Sequence, residues 1–322
     1  MSATGVIAYR APGGAARQLT WFNRSGQVLG TLGARDENEL WDPALSPDGR
    51  RVAVSRVVQG SPDVWLIDGA RTTRLTFEAE NDNYPLWSPD GSRIVFSAVR
   101  SSALNLYQKP SSGAGRETLL VESTQNKAAT SWSRDGRFLL YDSVDATTRF
   151  DVWVLAMQGD PKPWTFLHTT FNEREAQFSP DGRWVAYESD ESGRFEIYVR
   201  PFTGPGEAAS AAAGPGTPGG QWQVSTAGGI DPRWRPDGQA LYYLAPDGTV
   251  MAAPMAAKGA TFEPGTPAAL FRPRIAKGGS VVPGRRHQYD VAPDGRFLIN
   301  TELDSAAAPI TLLQNWHPEG KK

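Results

Sequence analysis

One tetrapeptide governs what this chain can fold into. Ser46-Pro47-Asp48-Gly49 returns as Ser88-Pro89-Asp90-Gly91, Ser133-Arg134-Asp135-Gly136 and Ser179-Pro180-Asp181-Gly182, then as Arg235-Pro236-Asp237-Gly238 and Ala292-Pro293-Asp294-Gly295. Successive aspartates are 42, 45, 46, 56 and 57 residues apart, and a period in this range marks a repeat architecture. The four residues describe a turn. Proline sets φ for the second position of a type I turn, Asp bonds local backbone, and Gly takes the left-handed conformation that follows. Such a turn joins two strands of a hairpin.

Strands flank it as that chemistry requires. Arg51-Val52-Ala53-Val54-Ser55, Arg93-Ile94-Val95-Phe96-Ser97 and Trp184-Val185-Ala186-Tyr187 are apolar with little alternation, the pattern of a strand covered on both faces. A second landmark keeps register with the turn. Asp63-Val64-Trp65, Asn105-Leu106-Tyr107, Asp151-Val152-Trp153 and Glu196-Ile197-Tyr198 start 15, 15, 16 and 15 residues after their turn aspartate. Each reads as a third strand, and short segments such as Thr73-Arg74-Leu75-Thr76 and Trp222-Gln223-Val224-Ser225 read as a fourth. Four short antiparallel strands per unit make one blade of a β-propeller, so the chain is expected to be all-β. The aromatic residues Trp65, Tyr107, Trp153 and Tyr198 recur at one strand position and are assigned to packing between blades rather than to a binding box.

Both ends read as incomplete units. Ser2-Ala3-Thr4-Gly5 sits where a first turn would fall, followed by Val6-Ile7-Ala8-Tyr9, Gln18 to Phe22 and Gln27 to Gly30 as second, third and fourth strands. The innermost strand of that unit would precede Met1, which leads us to expect the C-terminal part of a longer protein. The last unit has Tyr289-Asp290-Val291, Phe297-Leu298-Ile299 and Ile310 to Gln314 and lacks a fourth strand. Seven units are countable, so seven blades are favoured, with six or an arc of a larger ring left open. The expectation is one propeller domain over residues 1–322, with a flexible Ala/Gly/Pro/Ser insertion at about 203–220.

Composition narrows the function. With 33 basic and 35 acidic residues the net charge is −2, unlike the basic footprint of nucleic-acid binding. The 33 Gly and 25 Pro oppose long helices, and no Cys is present for disulfides or thiolate metal sites. No run of 18 apolar residues occurs, so this chain is not expected to insert in a membrane, and no signal-peptide pattern is visible.

The turns at 46–50, 88–92 and 179–183, with their Trp/Tyr third strands, resemble the TolB-like family of WD-repeat-like propellers. More narrowly, Asn81-Asp82-Asn83-Tyr84-Pro85-Leu86-Trp87-Ser88, Phe171-Asn172-Glu173 and Trp222-Gln223-Val224-Ser225 look like the propeller region of bacterial receptor-type serine/threonine kinases. That resemblance implies a sensing or docking module, a periplasmic or extracytoplasmic location, and a linkage upstream to a membrane helix and kinase. No Gly-rich phosphate loop, His-Arg-Asp or Asp-Phe-Gly sequence is present, so no kinase activity is expected of this chain.

Motifs for chemistry are sparse. His168, His287 and His317 stand apart from any second ligand at metal spacing, and no Gly-x-Ser-x-Gly elbow occurs. The turn aspartates supply single carboxylates about 40 residues apart, whereas calcium needs roughly 6–8 oxygens together; no metal or cofactor is expected. What remains is the set of loops joining the outer strand of one blade to the inner strand of the next, which gather at one mouth of the channel. Trp41, Asp82, Tyr84, Asn126, Arg174, Arg286 and His287 lie there, and aromatic and Arg residues supply most binding hot spots. The expected function is a non-enzymatic scaffold that binds a protein or peptide at the channel mouth. The alternatives are a propeller hydrolase or lyase with a channel site, or a small-ligand sensor.

Overall fold

In the computed structural model, which describes residues 7–10, 16–58, 60–78, 80–159, 162–204, 220–258, 261–275, 287–303 and 310–313, every Pro-Asp-Gly or Arg-Asp-Gly segment is a closed turn. Ser46 Oγ donates to Asp48 Oδ1 at 2.6 Å, and the same oxygen accepts the Arg50 N–H at 3.1 Å. Gly49 closes the turn by donating to the Ser46 carbonyl at 2.7 Å, with φ at 69°. The Ser–Asp bond recurs at Asp90 (2.5 Å), Asp135 (2.7 Å) and Asp181 (2.5 Å). Asp237 and Asp294, which have no serine before them, keep the backbone bond, to Gln239 N at 3.0 Å and Arg296 N at 3.1 Å. Hydrogen bonds from Ser88 and Ser92 hold Asp90 down at about 2. Each turn carboxylate is thus consumed by its own turn.

The turns organise 27 strands among the described residues. The chain begins with β1 (Ile7–Arg10), β2 (Arg17–Phe22) and β3 (Val28–Asp36). Blade 1 is β4 (Leu40–Leu45), β5 (Arg51–Val58), β6 (Ser61–Asp68) and β7 (Arg71–Arg74). Blade 2 is β8 (Asp82–Trp87), β9 (Arg93–Val99), β10 (Leu104–Pro110) and β11 (Thr118–Val121). Blade 3 is β12 (Lys127–Trp132), β13 (Phe138–Asp145), β14 (Arg149–Ala156) and β15 (Pro163–Leu167). Blade 4 is β16 (Glu173–Phe178), β17 (Trp184–Ser189), β18 (Glu196–Pro201) and β19 (Trp222–Gln223). Blade 5 is β20 (Ile230–Trp234), β21 (Ala240–Leu244) and β22 (Val250–Lys258), whose outer edge is shared by β23 (Thr261–Pro264) and β24 (Ala268–Phe271). The chain ends with β25 (Tyr289–Val291), β26 (Phe297–Glu302) and β27 (Ile310–Leu313).

The described residues form six blades, not the favoured seven, because the two incomplete ends are halves of one. Its strand order is β25-β26-β2-β3, with the C-terminal pair inside and the N-terminal pair outside. β2 and β26 pair antiparallel from Arg17↔Glu302 to Phe22↔Phe297. Arg17 and Glu302 form an ion pair at 2.7 Å, and the Thr20 and Thr301 hydroxyls meet at 2.8 Å. The innermost strand expected before Met1 is therefore supplied by β25, and β26 takes the second place that Val6 to Tyr9 was expected to fill. Of the segments read as strands of the two end units, the described parts Ile7–Arg10 and Ile310–Leu313 belong to no blade: β1 pairs with β27, Ile7↔Leu313 through Arg10↔Ile310. Closure hides the two sheet edges that an open arc would expose.

Among the described residues, apolar side chains fill six clusters, each spanning two neighbouring blades. Val52 and Val54 pack with Leu19, Trp21 and Leu298 of the closing blade, whereas Ala53 between them packs with Trp87, Ile94 and Phe96 of blade 2. This alternation explains why the second strands read as continuous apolar runs. The third-strand aromatics lie in the same layers, with Phe96–Tyr107, Tyr141–Trp153 and Tyr187–Tyr198 stacked at 6.3, 6.3 and 5.8 Å. In blades 1, 2 and 4 a buried polar residue near the start of the third strand pins the end of the fourth strand or the chain after it. Asn105 Oδ1 accepts Ser123 N at 2.9 Å, Glu196 Oε1 accepts Gly228 N at 2.9 Å, and Asp63 meets Arg74 at 2.8 Å. Among the described residues no helix is long and apolar enough to cross a membrane. Most of the 203–220 insertion, and Lys277 to Arg286, lie outside the described residues.

Candidate binding site at the channel

The innermost strands do not run straight. In blades 1, 2, 4 and 5 each is bulged at a residue with positive φ: Asp42 (52°), Tyr84 (56°), Glu175 (54°) and Asp231 (55°). Each lies six residues before its turn aspartate. A left-handed residue other than Gly costs roughly 1–2 kcal/mol, and the neighbouring blade offsets it. Tyr84 N donates to Ser55 Oγ at 3.0 Å, Glu175 N to Asp142 Oδ2 at 3.1 Å, and Asp231 N to Glu188 Oε2 at 2.9 Å. The acceptors Ser55, Asp142 and Glu188 all lie seven residues after a turn aspartate. In blade 3 the irregularity falls at Thr130 without a left-handed residue, and Ser97, the matching position of blade 2, keeps a buried hydroxyl without a partner among the described residues.

A second ring of inter-blade bonds lies nearer the turns. Leu45 N donates to Asp290 Oδ2 at 2.8 Å and Phe178 N to Ser131 Oγ at 3.1 Å. The indoles of Trp87 and Trp234 donate to the carbonyls of Ala44 and Gln177 at 2.9 and 3.1 Å.

These rings fix the electrostatics of the channel. Burial pushes the Glu188 carboxyl up against the pull of Arg174, and Asp231 is driven well above the carboxylate range by burial and by Glu175 and Glu188 beside it. Arg174 ion-pairs with Glu188 at 2.5 Å and lies over the rings of Phe150 and Phe195 at 5.5 and 4.3 Å. Arg233 is buried near Asp290 at 3.8 Å and over Tyr289 at 5.9 Å. The channel acids thus serve as acceptors and counter-ions within the wall. Among the described residues no group of three His, Asp or Glu side chains is arranged to hold a metal ion.

The candidate residues fare differently. Trp41, Tyr84, Arg174 and His287 lie on or beside the innermost strands; the His287 ring stands 4.0 Å from Asp42. Arg174 is already held by Glu188. Asp82 is fully buried, 2.8 Å from Arg100, and burial pushes its carboxyl up to about 6 despite that guanidinium. Asn126 is exposed, and its side-chain oxygen accepts the Leu104 N–H at 2.9 Å. Arg286 lies outside the described residues.

The opposite mouth, on the side of the turns, holds a cavity of about 320 Å³. Its rim is the second position of all six turns: Pro47, Pro89, Pro180, Pro236 and Pro293, with Arg134 replacing proline in blade 3. Leu45, Leu86, Trp132, Trp234 and Val291 wall it, and Arg233 and Asp290 lie at its floor. A second cleft of about 490 Å³ runs between blades 4 and 5 over Trp184, Trp234 and Met255 and shares Arg134, Pro180 and Pro236 with the first. Composition does not mark this mouth, because its residues serve also as turn and core residues. The signal present in the sequence was Arg134, the one non-proline at that turn position.

Comparison with known proteins agrees with the architecture. Tricorn protease homolog 1 of Streptomyces coelicolor is 28% identical over 123 residues, covering 38% of this chain and 11% of that protein. The Tol-Pal system protein TolB of Anaeromyxobacter dehalogenans is 33% identical over 81 residues, 25% of this chain and 19% of that protein. The matched regions therefore span well under half the length of these relatives. Among solved structures, a putative TolB from Agrobacterium tumefaciens superposes with a TM-score of 0.65 at 18% identity, covering 91% of this chain and all of that one (100%). Oligogalacturonate lyase in complex with manganese does so at 0.50 and 14% identity, covering 94% and 99%. At these identities the superpositions establish the fold and leave the role to the site. The model of the TolB beta propeller domain matches residues 34–199, about half of the chain, and this chain belongs to that family.

Proposed function

We propose that this chain is a non-enzymatic binding module that takes a protein or peptide at a mouth of its channel. One observation carries the reading. The turn-side mouth is a proline-rimmed cavity whose lining mixes Leu, Trp and Val with Ser, Gln and Arg side chains, whereas acids of the channel wall are engaged in holding blades together. Apolar and aromatic walls supply contact area in a recognition pocket, and the polar groups set among them fix orientation. An extracytoplasmic role in sensing or docking goes with this reading, as does the likeness of the Asn81 to Ser88 segment to receptor-kinase propellers.

Panning a phage-displayed library of twelve-residue peptides against the full chain tests it. Peptides should be enriched whose binding is lost in Leu86→Arg, which places a charge in the apolar wall. Failure to enrich any peptide dependent on Leu86 would overturn the mouth as the site.

The alternative, a hydrolase or lyase working in the channel, is favoured by the raised carboxyls of Glu188 and Asp231, since perturbed acids gather at catalytic sites. Turnover of a lactone, an oligogalacturonate or a peptide amide, abolished by Asp231→Asn, would replace the first reading.

A further inference from the structure

Arg134 gives the turn-side mouth a chemical preference. The five other turns place proline at this position, and proline offers neither charge nor a hydrogen-bond donor. Arg134 is exposed and lines both the central cavity and the cleft between blades 4 and 5. The nearby turn acids already have guanidinium partners of their own: Asp135 has Arg137 at 2.6 Å, Asp181 has Arg183 at 2.7 Å and Asp237 has Arg235 at 3.0 Å. Among the described residues no carboxylate pairs with Arg134. At the floor, Arg233 and Asp290 offset each other. The junction of the two clefts therefore carries one uncompensated positive charge amid Trp, Pro and Met side chains.

Resting on the binding-module reading, we infer that the ligand is an extended peptide that places a large apolar side chain in the central cavity. Its chain continues along the cleft between blades 4 and 5, and an Asp or Glu side chain meets Arg134. The guanidinium fork matches a carboxylate in bidentate geometry. The carboxylate belongs to a side chain rather than to a C-terminus because Arg134 stands where the clefts join, so a chain that fills both passes it mid-segment. The apolar residue adjoining the acid finds Trp132 or Trp234 as a wall on either side of that junction.

The same display library provides the test, panned against the wild-type chain and then against Arg134→Pro and Arg134→Glu. Arg134→Pro installs the residue that five turns already carry, so the turn is expected to form. Wild type should enrich peptides with Asp or Glu beside Leu, Phe or Trp. A fluorescein-labelled peptide of the leading sequence should bind Arg134→Pro about tenfold more weakly, the scale of one hydrogen-bonded charge pair. Arg134→Glu should instead select Lys or Arg at that peptide position. Enrichment without acidic residues, or affinity unchanged in Arg134→Pro, would overturn the inference, as would binding that depends only on a free C-terminal carboxylate. If binding is lost in Leu86→Arg yet indifferent to Arg134, the mouth stands as the site and this assignment alone falls. If neither substitution matters, both fall.

Discussion

Two serines at matching positions of neighbouring blades separate the worth of an inter-blade hydrogen bond from the worth of a buried hydroxyl. Ser55 and Ser97 each lie seven residues after their turn aspartate and are fully buried. Ser55 Oγ accepts the Tyr84 N–H at 3.0 Å and donates to Asp42 Oδ2 at 3.3 Å, whereas Ser97 Oγ has no partner among the described residues. Ser55→Ala leaves the Tyr84 N–H orphaned at a residue held at φ 56°. An unsatisfied buried donor costs about 1–3 kcal/mol, and the left-handed tyrosine no longer has the bond that offset its strain. Ser97→Ala removes a hydroxyl that is desolvated without return, a change worth roughly zero to 2 kcal/mol in favour of the folded state. Urea unfolding by linear extrapolation at constant m reads both. Ser55→Ala should lower the midpoint and Ser97→Ala should leave it or raise it. Equal losses would refute the account of the channel wall, because both substitutions delete the same atoms at the same depth.

Three further outcomes follow from the geometry. Burial, opposed by a hydrogen bond from Thr169 and reinforced by Asp151 and Glu191, raises Glu173 to about 7 from 4.5. The folded state therefore holds this proton more tightly than the unfolded one, and stability falls as pH rises from about 4.5 to 7. Glu173→Gln should match wild type near pH 4 and exceed it increasingly up to pH 8, by at most about 3 kcal/mol, in urea midpoints across that range. Gly49→Ala should destabilise more than Gly136→Ala in thermal melts. Both have φ near 70°, but a Cβ at Gly49 would stand 3.1 Å from Pro293 Cδ of the closing blade while Gly136 has open space. Removing residues 287–322 takes the inner strands from the closing blade and should abolish cooperative unfolding by circular dichroism; a truncated chain that still melts sharply would show that the ring does not need its seam.

Much of the fold was legible because local chemistry demands it. Pro-Asp-Gly after serine can form few structures besides this turn, and the polar opening of the third strand, as at Asn105 and Glu196, recurs because each blade must anchor the chain leaving it. The candidate site was legible only in part. Trp41, Tyr84, Arg174 and His287 lie on or beside the innermost strands, whereas the buried Asp82 pairs with Arg100, since alternate residues of a strand point to opposite faces and a bulge shifts that alternation. The turn-side cavity is not legible in the sequence because Trp132, Trp234 and Leu86 have the pattern of core residues.

Periodicity, turn type and all-β character are thus properties of the sequence alone, being set by residues within a few positions of one another. The number of blades belongs to the tertiary structure, because it depends on whether Phe297 to Glu302 meets Arg17 to Phe22 across the whole length of the chain. So do the left-handed bulge residues Tyr84, Glu175 and Asp231, which are strained by local preference and accept their place because a side chain from the blade before takes their N–H.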